Sequence, residues 1–321
     1  MKAAVYTRYG PPEVVRILEV PKPSPRAHEV LVKVFVSTVN RTDSGFRSAA
    51  YFVSRFWSGL LRPKYQTLGC EFAGEIEEVG SAVTSLKRGD KIFGYNDSKF
   101  GGHSEYMTVA EDDAITTLPS GWDYQEAVAL TEGAHYALYG IRAAKVKSGQ
   151  PVLVYGATGA IGSAAVQLLK YLGAHVTAVC NTKNVELVKA LGADEVIDYQ
   201  TEDFTKTTQK YPFILDAVGK SSFGQCKPLL TERGIYISTE LGKNAENIFY
   251  AIFTPIANKK RVLFPIPTIS KAEVELLKQL AEEGHFRPVI DRVFPLDDIV
   301  EAYRYVETGQ KTGNVVLAIS P

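Results

Sequence analysis

The stretch that decides the fold runs from Pro151 to Leu169 and reads PVLVYGATGAIGSAAVQLL. It opens with an apolar run typical of a strand, continues with three glycines that have two residues between each, and then returns to apolar residues at helical spacing. Gly156 permits a tight turn, Gly159 lets backbone N–H groups approach a diphosphate, and Gly162 lets the helix lie close to its strand. The pattern therefore predicts a dinucleotide site at the start of a helix. The residues predicted to form it are Gly156, Thr158, Gly159, Ala160, Ile161 and Gly162.

Other interpretations of this stretch are weaker. The run carries no charged residue and is about as long as a membrane span, but its glycines and its polar residues Thr158, Ser163 and Gln167 are unfavourable in lipid. A phosphate-binding P-loop would close its glycines with a Lys-Ser or Lys-Thr pair, and no such pair closes the glycines here. A strand and helix packed together without any cofactor is the remaining alternative.

The composition is that of a globular protein with balanced charge. The chain of 321 residues is long enough for two domains, and its 45% of hydrophobic residues can form a sizeable core. Its 36 basic residues offset 36 acidic ones, which gives a net charge of +0. No overall field favours nucleic acid or a membrane as a partner, so a small molecule is the better expectation. Three widely spaced cysteines and the absence of a visible secretory signal predict a cytoplasmic protein without a disulfide framework.

The sequence pattern changes near residue 122 and again near residue 266. Residues 1–122 contain short β-runs between proline and glycine turns, which predicts a small, partly closed β-domain. In residues 123–266, predicted helices alternate with six β-runs, which is the pattern of a doubly wound parallel sheet of the Rossmann type. The first of these helices is predicted over residues 124–144. Residues 267–321 end in a strand, a helix and a strand that we expect to rejoin the first domain. The predicted fold class is therefore α/β.

An unusually aromatic and basic segment interrupts the first domain. It covers residues 44–65 and reads SGFRSAAYFVSRFWSGLLRPKY. Three alternatives stay open for it, namely a helical flap over a ligand, packing on its own domain, and a contact with another subunit.

The residues after the second strand of the alternating region indicate which dinucleotide binds. In this fold an acidic side chain at that point accepts hydrogen bonds from the adenosine ribose and would repel a 2′-phosphate. The sequence here is Cys180-Asn181-Thr182-Lys183-Asn184, with one cation and no acid, so NADPH is favoured over NADH. Lys183 would neutralise the phosphate while Asn181 and Thr182 donate hydrogen bonds. The alternative is a solvated Lys183 with Thr182 as the cap of a helix.

Three further residues are predicted to contact the cofactor. Tyr199 closes the run EVIDY and could stack along the adenine or reach the 2′-phosphate, although an ordinary tyrosine at a strand end is the alternative. Val218 follows the run FILDA, and Asn314 lies in the closing segment KTGNVVL.

Several segments together resemble the medium-chain dehydrogenase/reductases, and most closely their zinc-free quinone oxidoreductase, or zeta-crystallin-like, branch. Besides the glycine turn they are VNRTD at 39–43, GCEFAGEIEEVG at 69–80, LKRGDKIFGY at 86–95, LGADEVIDY at 191–199 and KTGNVVL at 311–317. They span essentially the whole chain in the order of the family. The resemblance implies a GroES-like β-domain that holds the substrate, a nucleotide-binding domain, an active-site cleft between them, and a homodimer.

The chain departs from the zinc-dependent members of this superfamily at their metal ligands. Those relatives have Cys where this chain has Asn40, and a His before the Glu where this chain has Cys70 and Glu71. A catalytic zinc site needs about three nitrogen, oxygen or sulfur ligands and an open position. We therefore predict no metal, and we expect Cys70 to be a small buried thiol.

Without a metal, alcohol oxidation lacks its Lewis acid, and reduction of a quinone or an α,β-unsaturated carbonyl compound by NADPH is the expected reaction. Asn40 is predicted beside the nicotinamide ribose and the acceptor oxygen, and Asp43 is predicted to position a hydroxyl or water, with turn capping as the alternative. Tyr51, His135 and Tyr136 are candidate proton donors, although protonation by solvent would need none of them. The alternative function is an NADPH-binding structural or regulatory protein without turnover; a zinc-dependent alcohol dehydrogenase is disfavoured.

Overall fold

The computed structural model describes residues 1–49, 55–257 and 259–320, and in it the chain divides into two units. The first unit comprises Met1–Thr131, Ile269–Glu282 and Val289–Pro321, and the second comprises Glu132–Thr268 and Glu283–Pro288. The strands are β1 (Lys2–Val5), β2 (Arg16–Glu19), β3 (Glu29–Thr38), β4 (Glu71–Val79), β5 (Lys91–Tyr95), β6 (Tyr106–Ala110), β7 (Ile115–Thr117), β8 (Pro151–Tyr155), β9 (His175–Cys180), β10 (Glu195–Asp198), β11 (Tyr211–Asp216), β12 (Leu230–Ser238), β13 (Arg261–Leu263), β14 (Ile290–Pro295) and β15 (Asn314–Ala318). The α-helices are α1 (Arg41–Ser48), α2 (Arg55–Ser58), α3 (Tyr124–Val128), α4 (Glu132–Ala144), α5 (Ala160–Tyr171), α6 (Val185–Ala190), α7 (Phe223–Cys226), α8 (Glu246–Phe253), α9 (Lys271–Glu282) and α10 (Ile299–Glu307).

The second unit is built on a parallel sheet with the strand order β10-β9-β8-β11-β12-β13. The chain starts in the middle of this sheet at β8, runs outward to β10, and then crosses back to build the other side from β11, as doubly wound sheets do. Strands β8, β9 and β11 bury most of their residues, as parallel strands do when both faces are covered. The predicted Rossmann-type sheet is confirmed, and all six predicted runs are its strands.

The first unit contains a mostly antiparallel sheet with the strand order β14-β15-β3-β4-β5-β7, and β6 pairs with β3. The last strand of the chain pairs with β3, with Val316 opposite Thr38. Helix α10 adds Ile299, Tyr303 and Val306 to the hydrophobic core of the same unit. Strand β15 and helix α10 therefore belong to the same unit as the N-terminal strands.

The prediction of a single helix over residues 124–144 is wrong, because the structure has two helices there. Asp123 caps α3, which ends before Thr131, and α4 begins only after it. Thr131 donates its hydroxyl to Glu71 at 2.8 Å and so fixes this part of the chain in the first unit. The first unit extends to Thr131, whereas the sequence pattern changes near residue 122.

A short part of the C-terminal region belongs to the second unit. Gln167 on α5 donates to the carbonyl of Arg287 and accepts from the N–H of the same residue, both at 3.0 Å. This pair of hydrogen bonds mimics a strand pairing and explains why residues 283–288 are part of the second unit.

The described part of the aromatic segment 44–65 packs on its own unit. The rings of Phe46 and Phe100 are 4.9 Å apart, and the hydroxyl of Tyr9 donates to the carbonyl of Gly59 at 2.6 Å. Phe56 and Leu61 are exposed. Among the described residues, no helix is both long and apolar enough to cross a membrane.

Candidate active site

The glycine turn leaves no room for side chains at two of its positions. Gly156 follows β8 with a φ of 77°, a left-handed value that glycine adopts readily. A Cβ atom at Gly156 would lie 2.5 Å from Cγ2 of Val218, and one at Gly162 would lie 2.1 Å from the carbonyl oxygen of Gly156. The tight turn and the close approach of helix to strand are therefore both present in the structure.

The same turn presents unpaired backbone donors at the start of α5. Gly159 is the N-cap of this 12-residue helix, and within the described residues no side chain caps it. The N–H groups of Ala160, Ile161 and Gly162 have no acceptor inside the helix, because they belong to its first turn. A Cβ at Gly159 would meet nothing nearer than 3.9 Å, so this side of the turn is open, and Thr158 beside it is half-buried. Open N–H groups at a helix N-terminus fit a pyrophosphate.

Asp216 fixes the loop that faces the glycine turn. Its carboxylate accepts hydrogen bonds from the N–H groups of Val218 at 3.1 Å, Gly219 at 2.8 Å and Ser221 at 2.9 Å. The hydroxyl of Tyr236 on β12 donates to the same carboxylate at 3.2 Å. These bonds fix the position of Val218. A Cβ atom at Gly156 would collide with the side chain of Val218.

The predicted 2′-phosphate corner follows β9 and is partly occupied by internal hydrogen bonds. Thr182 donates its hydroxyl to Asp198 at 2.5 Å, and Asn181 accepts from the side chain of Asn184 at 2.8 Å. Lys183 is exposed. Asp198 thus brings an acid to Thr182 from the neighbouring strand, which the sequence around Thr182 alone did not show.

Tyr199 follows Asp198 and leads from β10 toward this corner. Half of its side chain is exposed, and its N–H donates to the carbonyl of Cys180 at 3.0 Å. The ring is therefore accessible beside the predicted phosphate position, and its stacking on an adenine stays a prediction.

In the first unit, Asn40 is the N-cap of α1. Its side-chain oxygen accepts from the N–H of Asp43 at 2.9 Å, and its Nδ2 donates to Sγ of Cys70 at 3.0 Å. The residue is buried. The capping alternative describes this geometry, and the predicted contact of Asn40 with the nicotinamide ribose stays a prediction.

Asp43 is a fully buried carboxylic acid. One of its oxygens accepts from the N–H of Gly69 at 3.0 Å, and the other lies 3.8 Å from Nε2 of His103 and has no hydrogen-bond partner among the described residues. Burial raises the pKa of Asp43 to about 7, because the charged form loses its hydration. Its predicted role in positioning a hydroxyl or water stays a prediction.

His103 is the buried base beside this acid. Its Nε2 lies 2.8 Å from the carbonyl oxygen of Thr38, and because a carbonyl only accepts, the proton is on Nε2. Its Nδ1 lies 3.5 Å from the hydroxyl of Tyr303 and is the acceptor of that contact. Burial lowers the pKa of His103 to about 4, so the ring is neutral at physiological pH.

The positions at which zinc-dependent dehydrogenases have metal ligands are occupied here by Asn40, Cys70 and Glu71. Asn40 and Cys70 are hydrogen-bonded to each other, and Glu71 accepts the hydroxyls of Thr38 and Thr131. Among the described residues, no group of three or more His, Cys, Asp and Glu side chains is placed to hold a metal ion. These residues do not fit a catalytic zinc ion.

The remaining predicted site residues lie in different surroundings. Tyr136 is half-buried on α4, with its ring 4.6 Å from that of the buried His135. Asn314 is buried at the start of β15, where its side chain donates to the carbonyl of Val289 at 3.0 Å. Tyr51 lies outside the described residues.

An apolar cavity of about 210 Å³ opens at the carboxyl ends of β11 and β12 in the second unit. It is lined by Tyr136 and Tyr139 of α4 and by residues 264–267 after β13. Ser238 and Thr239 supply hydroxyls at the end of β12. Ligands of open parallel sheets bind at this edge, outside the carboxyl ends of the strands.

Comparisons with known proteins agree with this architecture. Residues 26–120 match the alcohol dehydrogenase GroES-like domain family, and residues 191–317 match the family described as zinc-binding dehydrogenase. A chloroplast envelope quinone oxidoreductase homolog from Arabidopsis thaliana is 31% identical over 334 residues, covering 99% of this chain and 98% of the relative. A chloroplastic NADPH-dependent alkenal/one oxidoreductase from the same plant is 28% identical, covering 99% of this chain and 79% of the relative. The solved quinone oxidoreductase from Coxiella burnetii superposes with a TM-score of 0.88 at 28% identity, covering 100% of this chain and 99% of that one.

The fold, the glycine turn and these matches define an oxidoreductase that uses a nicotinamide cofactor. The chain belongs to the medium-chain dehydrogenase/reductase superfamily, in its quinone oxidoreductase branch. The resemblance seen in the sequence is thereby confirmed.

Sequence reasoning missed two residues that organise the candidate site. Asp216 closes the apolar run FILD, and an acid at the end of a buried strand beside a glycine-containing loop was a usable signal. His103 gave no such signal, because its partners Thr38 and Tyr303 are far away in the sequence.

Proposed function

We propose that the protein catalyses NADPH-dependent, zinc-independent transfer of hydride to quinones or α,β-unsaturated carbonyl compounds. The observation that carries this proposal is the uncapped N-terminus of α5 behind a glycine turn that excludes side chains at Gly156 and Gly162. When bound, the reduced nicotinamide supplies the hydride. The N–H groups of the first turn of α5 hold the pyrophosphate, and Val218 lines the turn beside it.

The preference for NADPH over NADH rests on Lys183, an exposed cation at the corner where the 2′-phosphate is expected. Replacing it in Lys183→Ala should weaken NADPH binding by about tenfold and leave NADH binding nearly unchanged, since one charge-assisted hydrogen bond is lost. Calorimetric titration with each nucleotide measures both constants. Lys189→Ala is the matched control, because this lysine of α6 pairs with Glu186 at 3.0 Å. Equal losses for the two nucleotides would contradict the assignment.

The acceptor pocket is the apolar cavity between Tyr136, Tyr139 and residues 264–267. Its volume of about 210 Å³ is below the usual range for drug-sized ligands and suits a single ring or a short alkenal. The phenol of Tyr136 lines this pocket and is the candidate proton donor. Protonation of an enolate by water would need no side chain.

Turnover is tested by following the absorbance of the reduced nicotinamide after adding a small quinone or an alkenal to the protein and NADPH. We expect the absorbance to fall with these acceptors and to stay constant with the corresponding saturated ketone, which cannot accept hydride through a conjugated system. Nucleotide binding by calorimetry without turnover on any acceptor would instead favour a binding protein without catalysis. Absence of heat with either nucleotide would overturn both.

A homodimer is the proposed assembly. The outer face of α8 exposes the four large apolar side chains Ile248, Phe249, Ile252 and Phe253, next to β13 at the end of the strand order of the sheet. A second copy of the chain would cover this face and pair with this edge. Light scattering should give twice the chain mass, with Phe249→Asp shifted to monomer and Leu61→Asp, a control at an exposed leucine elsewhere, unchanged. The opposite ranking of the two variants would place the contact elsewhere.

The proposed location is a reducing compartment such as the cytoplasm. Cys70, Cys180 and Cys226 are buried thiols, and none of the described cysteines forms a disulfide.

A further inference from the structure

A second cavity of the second unit lies at the edge of the sheet opposite the glycine turn. It has a volume of about 340 Å³ and is lined by the end of α4, the start of β11, the middle of β12 and residues of β13. The residues that line it all belong to the second unit. This basic groove, as we call it, is defined by Lys145, Arg233, Arg261, Gln150, Phe213 and Leu263.

The basic groove carries three cations and no acid among its lining residues. Lys145 and Arg233 are exposed, and Arg261 is half-buried. Within the described part of the chain, none of these three side chains forms a hydrogen bond or an ion pair. Uncompensated charges of one sign around a concave surface focus the electric field and concentrate ligands of the opposite charge.

The floor of the basic groove is apolar, and strand register explains why. Ile235 on β12 is paired with Arg261 on β13, so their side chains lie next to each other on one face of the sheet. Leu263 is two residues further along β13 and points to the same face. Phe213 of β11 also lines the cavity. The groove therefore combines a cationic rim with an apolar floor.

Lys145 occupies a backbone position that glycine usually fills. The N–H of Val146 donates to the carbonyl of Ile141 at 3.3 Å, and the N–H of Lys145 donates to the carbonyl of Arg142 at 3.0 Å. This is the Schellman ending of a helix, and Lys145 takes its left-handed position with a φ of 53°. A side chain there costs about 1 kcal/mol relative to glycine, so the lysine at the rim is held at a cost to stability.

We propose that the basic groove binds a phosphate monoester with an apolar or aromatic body. Such a group carries a charge of about −1.5 to −2 at neutral pH, which three cations match better than they match a carboxylate. Arg233 and Arg261 offer forked donors for the phosphate oxygens, and the apolar body lies on Phe213 and Leu263. The volume is at the lower end for small-molecule sites, so the ligand is small.

The experiment is a calorimetric titration of phenyl phosphate into the protein saturated with NADPH, so that the glycine turn is filled. We expect saturable binding of one phenyl phosphate per chain, tighter than binding of inorganic phosphate or benzoate, and no binding of benzyl alcohol. Binding should weaken with added salt, because the rim is electrostatic.

Variants assign the binding to the groove. Arg233→Gln combined with Arg261→Gln should weaken phenyl phosphate binding by about tenfold or more, as two charged contacts are lost. Arg233→Gln alone, at an exposed side chain, should give part of this loss and serves if the double variant does not fold. Lys147→Gln is the matched control, since this exposed lysine near the same edge does not line the cavity.

The possible contrary results are distinct. If the wild-type protein shows no saturable binding, the three cations only balance the carbonyl end of α4 and the proposal is wrong. If Arg233→Gln binds phenyl phosphate as tightly as the wild type does, the ligand binds elsewhere and the proposal is equally wrong. Tighter binding of benzoate than of phenyl phosphate would replace the phosphate monoester by a carboxylate. None of these results depends on turnover of a quinone or an enone.

Discussion

The glycine turn of the second unit and the buried polar cluster of the first unit are built in opposite ways. The turn uses the backbone of one contiguous stretch from Gly156 to Gly162, where a side chain at Gly156 would collide with Val218 and one at Gly162 with the carbonyl oxygen of Gly156. The cluster uses the side chains of Asn40, Asp43 and His103, whose partners come from distant parts of the chain. A site made by local backbone is visible in the sequence, whereas a site made by side chains depends on the whole fold.

The largest effect is expected where the turn is most crowded. In Gly162→Ala the new Cβ would lie 2.1 Å from the carbonyl oxygen of Gly156, and backbone cannot move away cheaply. We expect the free energy of unfolding to fall by about 3 kcal/mol or more, and NADPH binding to be lost. Denaturant unfolding and nucleotide titration measure the two effects.

The control for this variant lies three residues earlier. Gly159→Ala places its Cβ 3.9 Å from the nearest atom at a φ of −71°, so stability should change by less than about 0.5 kcal/mol. Similar losses of stability in both variants would show that the crowding at Gly162 does not determine stability. They would contradict the conclusion that the backbone of this stretch forms the turn.

Asp43 and His103 of the buried cluster should make the free energy of unfolding depend on pH in opposite directions. Asp43, with its pKa raised to about 7, binds a proton in the folded state that the unfolded state has released above pH 3.8, so its contribution to stability falls as the pH rises from 4 to 6.5. His103, with its pKa lowered to about 4, releases its proton on folding below pH 6.5, so its contribution rises over the same interval. The two changes are roughly 3 kcal/mol each and nearly cancel.

Single substitutions should separate these contributions. In Asp43→Asn the stability should rise by roughly 3 kcal/mol from pH 4 to pH 6.5, and in His103→Gln it should fall by a similar amount, while the wild type stays nearly flat. Urea unfolding at a series of pH values measures all three proteins. Two variants with flat profiles would mean that neither group keeps its shifted pKa in the folded protein.

A smaller effect should separate the two roles considered for Asn40. Asn40→Ala removes the cap of α1 and should cost about 1 to 2 kcal/mol of stability. Asn40→Ser keeps a capping oxygen and should recover most of this loss. If kcat with a quinone also recovers in Asn40→Ser, capping is the whole role; if kcat stays low while stability recovers, Asn40 acts on the cofactor or the substrate.

The parts of the fold that were predictable share local causes. The glycine turn and the parallel strands follow from patterns within a few residues, and the structure has both of them. The break between α3 and α4 was missed, because Thr131 leaves the helical path for a hydrogen bond to Glu71, which lies 60 residues earlier.

The candidate site divides in the same way. The positions of Gly156 and Gly162 followed from steric rules that need no partner. The hydroxyl of Thr182 was expected to face a phosphate, but in the structure it donates to Asp198 on the neighbouring strand. Likewise, the pKa of Asp43 depends on complete burial and on Gly69, and neither can be read from the residues beside it.

Through its hydrogen bond to Asp216, Tyr236 affects residues outside its own strand. Its hydroxyl steadies the carboxylate that sets the position of Val218, and Val218 in turn defines how much space exists above Gly156. A replacement of Tyr236 would therefore remove one of the bonds that hold Asp216, and its consequence would be a changed space at Gly156 although the two residues are 80 positions apart in the sequence.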